Sequence, residues 1–289
     1  MTNNITITGD LGSGKSAVAA LLKDRLKFEV VSVGMLQRQL AEKYKLNTVA
    51  FNEYVESHPE IDLELDRMVA ETGKKNNLIF DSRLAWHFVE NAFKVYLSVD
   101  DEIASRRIFS DKDRMNESYA DMEQAKINIQ KRRASELSRF KAQYHVALDD
   151  WSNYDLIIDT GYADPATVAD CILVNRRLHL ENRRHHKIWM SPESLIPARS
   201  AGSHAEKPDV SVPTSIRQKG VHAGEPVKVI AIDRKYYICE GCQRVAAACD
   251  NHVKLLPVEI IAGGEPFLPS GQKADGYVRE NLKTSHRHD

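Results

Sequence analysis

The sequence has almost no bias of charge: 40 lysines and arginines stand against 41 aspartates and glutamates, a net charge of −1. No chain-wide field therefore recruits nucleic acid or an anionic membrane, and any such contact needs a local patch. An apolar run near the roughly 18 residues of a membrane span is also missing. So is a charged-then-apolar leader, because β-prone residues begin almost at once. Cysteine is scarce, with four in 289 residues and three of them crowded at Cys239, Cys242 and Cys249, which argues against a secreted disulfide framework. A cytoplasmic protein without membrane attachment is expected. Cys171, alone on an apolar helix face, reads as core. What remains is ordinary globular composition, 42% hydrophobic and 28% charged, at a length that suits two domains.

The most specific stretch is Gly9-Asp10-Leu11-Gly12-Ser13-Gly14-Lys15-Ser16, which fills every position of the phosphate-binding pattern G-x-x-x-x-G-K-[ST]. A β-prone run, Ile5 to Thr8, precedes it, and Val18, Leu21, Leu22 and Leu26 follow at helical spacing. Glycines at 9, 12 and 14 let the backbone turn tightly so that successive N–H groups, Ser13 among them, face phosphate oxygens at a helix N-terminus. Lys15 is placed to reach the β- and γ-phosphates and Ser16 to ligate Mg2+. These features point to a nucleoside triphosphate as the bound group.

Further β-prone runs at Phe28 to Ser32, Leu78 to Asp81, Lys94 to Val99 and Asp155 to Asp159 alternate with helical patterns. The expected fold is α/β: a five-stranded parallel sheet of the P-loop type, helices on both faces, ligands at the carboxyl ends of the strands. Asp81 closes the apolar run Leu78-Ile79-Phe80 and is a candidate Mg2+ carboxylate. Arginines recur just past strand ends and on charged helices, at 38, 83, 106, 107, 114, 132, 133 and 139. Planar guanidinium forks hold phosphate oxygens, and phosphoryl transfer needs positioning and neutralised charge more than covalent help.

With Ser32-Val33-Gly34 and Arg38, Phe51-Asn52-Glu53-Tyr54, Asp81-Ser82-Arg83, Arg133-Ala134-Ser135-Glu136 and Tyr154 to Thr160, the first 177 residues resemble nucleoside monophosphate kinases, most closely the short archaeal-like cytidylate kinases. The resemblance implies ATP- and Mg2+-dependent transfer of a γ-phosphoryl group to CMP or dCMP. It implies that Arg38, Arg83 and Arg133 meet the acceptor, that Ser32 and Asn52 line its pocket, and that Arg107 and Arg114 belong to a mobile lid. Lys15, Asp81, Arg83, Arg107 and Arg114 are the implied catalytic set. Ser82 stands where this family commonly has glycine, so a backbone needing positive φ there would be impaired. Asp66 and Glu53 are further polar candidates for reading an exocyclic amine.

A helix expected at Pro165 to about Leu180 runs into a basic hinge, 181–187, taking the first domain as 1–180. After a polar loop at 198–213 come short β runs, Val227 to Ile232 and Lys235 to Cys239, joined by Asp233-Arg234 as a hairpin. Gly241-Cys242-Gln243-Arg244 then opens a helix, and Leu256 to Ile261 closes as a strand. Residues 188–265 resemble a smaller α+β domain of the ParB/sulfiredoxin-like type, in which Gly241, Cys242 and Arg244 would form a second anion site for a nucleotide or phosphate. The spacing of Cys239, Cys242, Cys249 and His252 is not read as zinc, because strand and helix would keep those side chains apart. The tail, 266–289, is expected to be disordered. A second functional reading is a nucleotide-sensing or partition-associated binding protein with little turnover. The sequence leaves the oligomeric state open.

Overall fold

The computed structural model describes residues 3–46, 58, 60–110, 121–197 and 225–263. Expectations that rest on Asn52, Glu53, Arg114, the loop 198–213 and the tail 266–289 fall outside these residues.

The first half alternates as its apolar runs require: β1 (Ile5–Gly9), α1 (Lys15–Leu26), β2 (Glu29–Ser32), α2 (Val33–Lys43), α3 (Glu60–Gly73), β3 (Leu78–Asp81), α4 (Ala85–Phe88) and β4 (Phe93–Ser98). Then follow α5 (Asp101–Ser110), α6 (Met122–Tyr144), β5 (Leu156–Asp159) and α7 (Pro165–Leu180). Strands β2-β3-β1-β4-β5 lie side by side and all parallel. Alternation along the strands feeds two cores. Ile5, Ile7, Ile79, Val95 and Leu97 pack with α1 and α7, while Val31, Leu78 and Phe80 pack with α2, α3 and α4. Helices therefore cover both faces, as a buried parallel sheet demands. Cys171 lies in the first of these cores at 3% exposure. Asp164 caps α7 by accepting from the Thr167 N–H at 3.0 Å, and Pro165 supplies its first turn.

The second half is not a separate sheet. Its strands are β6 (Ile188–Met190), β7 (Leu195–Pro197), β8 (Val227–Ile232), β9 (Lys235–Glu240) and β10 (Leu256–Gly263), with one helix, α8 (Cys242–Asp250). Strand β6 pairs parallel to β5, with Ile157 opposite Ile188 and Ile158 opposite Trp189, and β10, β8, β9 and β7 follow outward. The expected five-stranded sheet is thus one half of a ten-stranded sheet among the described residues. Apolar contact explains the fusion: Trp189 is 1% exposed inside the core that holds Ile5 and Ile158. The basic stretch expected as a hinge is tied down at its end, where the Ile157 N–H donates to the Lys187 carbonyl at 2.7 Å. The β8–β9 hairpin forms as its turn residues suggest, with Asp233 and Arg234 both at positive φ, 48° and 63°, which matches the twist of a two-residue hairpin.

Gly9 ends β1 at φ 149°, and a Cβ there would meet the Leu97 carbonyl oxygen at 2.1 Å. Gly9→Ala is therefore expected to lower stability by about 3 kcal/mol, the upper range for overpacking at a site of restricted backbone. Urea denaturation measures it; unchanged stability would show that β1 and β4 can separate at this point without cost.

Candidate functional site

The phosphate loop sits at the carboxyl end of β1, with Gly12 and Gly14 at φ 75° and 80°. Gly14 starts α1 with no side-chain cap, so the first N–H groups of the helix face outward as an anion cradle. Ser13 tightens the turn by donating its hydroxyl to the Asp10 carbonyl at 2.8 Å. Lys15 curls back, donating to the carbonyls of Gly9 at 3.0 Å and Asp10 at 2.7 Å. Burial, aided by the neighbouring Arg83 guanidinium, pulls its ammonium down to about 7. The parallel register that sets Ile7 opposite Asp81 brings β3 to the same mouth, where the Ser16 hydroxyl donates to Asp81 Oδ2 at 2.8 Å. This hydroxyl–carboxylate pair is an all-oxygen donor set of the kind Mg2+ takes.

Beneath the loop lies a group that the motif does not specify. Asp10 is 4% exposed, yet its carboxylate has four partners. Tyr96 donates its hydroxyl at 2.8 Å, Val99 donates its N–H at 3.1 Å, Arg133 pairs at 2.7 Å and Arg234 pairs at 2.9 Å. Burial alone would raise this carboxyl, but Arg234, Arg133 and the Val99 N–H outweigh it and hold it below the usual carboxylate range. The same burial and charge raise the Tyr96 hydroxyl.

The expected arginines divide. Arg83 donates to the Gly9 carbonyl and pairs with Glu136 at 3.3 Å, so it bridges the loop and α6. Arg133, on α6, is held between Asp10 and Asp101. Arg107 lies within α5, where it donates to the Gly12 carbonyl at 3.1 Å and to the carbonyls of Thr160 at 2.6 Å and Gly161 at 3.0 Å. Burial among these groups lowers its pKa. It clamps the phosphate loop to the segment after β5. Arg38 is exposed on α2. Ser32 caps α2, accepting from the Met35 N–H at 3.2 Å. Ser82 has no positive φ, so a residue with a side chain fits where the family has glycine.

Two cavities flank the loop. One, of about 470 Å3, is lined by Gln37, Asp66, Ser82, Arg83, Arg139 and Tyr144. Gln37 reaches this lining, whereas its neighbour Arg38 does not belong to it. Asp66, raised by burial, accepts from the Tyr144 hydroxyl at 2.6 Å. The other cavity, of about 440 Å3, opens on the far side between Glu102, Arg106, Tyr162, Ser194 and Tyr236. Sequence reasoning missed Asp10, Tyr96, Glu136 and Arg234 as parts of one network, because a motif's variable positions and residues over two hundred positions apart carry no joint signal. In the second half, Gly241 starts α8 at φ 98°, and Arg244 donates to the Glu225 carbonyl; Cys242 is exposed.

Residues 5–128 match a family profile described as an AAA domain. The chain is 41% identical over 175 residues to an S-adenosylmethionine-dependent nucleotide dehydratase of Lacinutrix mariniflava, covering 60% of this chain but only 36% of that protein. It is 36% identical over 172 residues to the cytidylate kinase of Halobacterium salinarum, covering 58% of this chain and 86% of that one. Against the cytidylate kinase of Sulfolobus acidocaldarius it is 34% identical over 186 residues, covering 63% and 99%. These matches give no support to the ParB/sulfiredoxin-like reading of residues 188–265. A complete phosphate loop in a parallel sheet, flanked by two cavities and matched over nearly the whole length of such enzymes, places the chain in the cytidylate kinase family through its N-terminal part.

Proposed function

We propose that the protein transfers the γ-phosphoryl group of ATP to a nucleoside monophosphate, CMP or dCMP, giving the diphosphate. The observation that carries this reading is the pair of similarly sized cavities on opposite sides of one phosphate loop, with Arg83 touching both the loop and the Asp66 cavity. Hydrolysis needs one nucleotide site; in-line transfer between two nucleotides needs two.

In this scheme the N–H groups of Gly12 to Ser16 hold the donor phosphates, and Lys15 swings from the carbonyls of Gly9 and Asp10 to the β- and γ-oxygens. Ser16 and Asp81 would hold Mg2+, which neutralises charge on the transferring group. Arg83 leaves Glu136 to grip the acceptor phosphate, with Arg133 released from Asp10 or Asp101 to neutralise charge. Arg114, expected on the lid, would close over the site and exclude water. The alternative, a nucleotide sensor, shares the loop but predicts binding without turnover.

Cytosine as acceptor base is supported by the names of the archaeal relatives and by the carboxylates Asp62 and Asp66 on the acceptor cavity, which can accept from an exocyclic amine. Uracil presents a carbonyl there, which a half-buried carboxylate cannot donate to and repels. With ATP, CMP and dCMP are expected to outpace UMP by at least about 100-fold in kcat/KM, the discrimination typical of a site that hydrogen-bonds one group, and Asp66→Asn is expected to shrink that ratio. If no monophosphate is phosphorylated while ATP still binds, the sensor reading replaces the kinase.

Lys15→Ala is expected to lower kcat by about 10²–10³ or more, through lost stabilisation of transferring charge. The lowered Lys15 pKa sets a further outcome. Phosphates favour the ammonium, so ATP binding takes up a proton above pH 7, and affinity falls toward tenfold per pH unit over that range. Calorimetry of ATP binding at pH 8 in buffers of different ionisation enthalpy measures the uptake, which should vanish in Lys15→Ala.

A further inference from the structure

The second half of the chain is tied to the first at three places, two of them at carboxylates beside or under the loop. Arg234, in the β8–β9 turn, reaches Asp10 at 2.9 Å and donates to the Val99 carbonyl at 3.1 Å. Ser194 donates its hydroxyl to Asp159, and the Ser191 N–H donates to the same carboxylate at 3.3 Å. Tyr236 stacks on Trp151 with ring centroids 6.1 Å apart. Asp10 and Asp159 are both nearly buried, at 4% and 6% exposure, so the second half adds an arginine to one buried carboxylate and two neutral donors to the other, beside the partners the first half supplies.

The ties surround the 440 Å3 cavity. Glu102, Arg106 and Tyr162 form its inner side, and Ser194, Ile196 and Tyr236 its outer side. This cavity lies beside the loop, because Gly161 on its lining accepts from Arg107, which also donates to the carbonyl of Gly12 in the loop. A nucleotide whose phosphates lie on the loop, and whose acceptor fills the opposite cavity, has this space for its sugar and base. Its walls mix aromatic faces with polar tips and are of a size that small ligands use.

We infer that residues 188–263 are part of the donor-nucleotide site: they build the outer wall of the cavity that takes the nucleoside moiety of the triphosphate, and Arg234 is the positioning residue that fastens this wall to the phosphate loop. The inference rests on the loop holding a nucleoside triphosphate, not on turnover. It gives the C-terminal strands a task in choosing the donor, where a detached domain would have none.

The test separates nucleoside from phosphate. Equilibrium binding of ATP and of inorganic tripolyphosphate, each with Mg2+, is measured on the full chain by calorimetry. Ile196→Trp fills the cavity and is expected to weaken ATP at least tenfold while leaving tripolyphosphate within twofold. Lys235→Trp, at an exposed hairpin position on the same lining, should act likewise and serves if the first variant fails to fold. Arg234→Ala is expected to raise the KM for ATP about tenfold with the KM for CMP within twofold, and Arg234→Lys to restore most of the loss. Unchanged ATP affinity in the tryptophan variants, or equal weakening of ATP and tripolyphosphate, overturns the inference. Wild-type protein that binds ATP with this pattern yet transfers nothing would overturn the kinase assignment and leave the donor wall standing.

Discussion

A buried carboxylate organises this molecule. Asp10 lies under the phosphate loop at 4% exposure, and a charge there costs several kcal/mol unless it is paired and hydrogen-bonded. Its four partners arrive from β4, from the residue just past β4, from α6 and from the β8–β9 turn. Removing any one leaves the charge under-compensated, so the position of the loop, the angle of α6 and the docking of the second half are set together. Two of those partners are arginines, and one, Arg133, is shared with Asp101.

The parallel sheet supplies the rest of the constraint. Because all of β1 to β5 run the same way, their carboxyl ends deliver Gly9, Asp81 and Asp159 to one edge, and helix N-termini gather there too. Arg83 and Arg107 then fix the loop from opposite sides, one at Gly9 and the other at Gly12. The cavities beyond them differ in character. The Asp66 side is walled by helices α2, α3 and α6, while the Tyr162 side is walled by α5 and by residues of the continued sheet and its turns.

That continuation is a feature that a motif reading does not show. The shift from helical to β periods after residue 225 reads as a new domain, since an open parallel sheet and a compact α+β unit use the same short apolar strands. Nothing in Ile188-Trp189-Met190 says that these residues pair with β5; Trp189 burying itself beside Ile158 decides it. The arginines show the same limit. Arg83 is legible, because it follows a strand end by two residues. Arg107 reads as a lid residue, and the structure places it on α5 against Gly12, Thr160 and Gly161; Arg38 reads as a phosphate ligand, and it lies exposed on α2 beside Gln37, which lines the cavity. A helix turns 100° per residue, so neighbouring positions face different surroundings and a linear pattern does not say which of them meets a cavity.

The sequence by itself determined the phosphate loop, the order of β1 to α7, the hairpin turn at Asp233-Arg234 and the kinship with cytidylate kinases, because each is a local pattern: glycines where φ must be positive, periods of two or 3.6, turn residues between apolar runs. Only the tertiary structure decided that the sheet has ten strands among the described residues, that two cavities flank the loop, and that Arg234 completes the charge balance of Asp10 from 224 positions away. Burial and ion pairing act through space, and neither leaves a period in the chain.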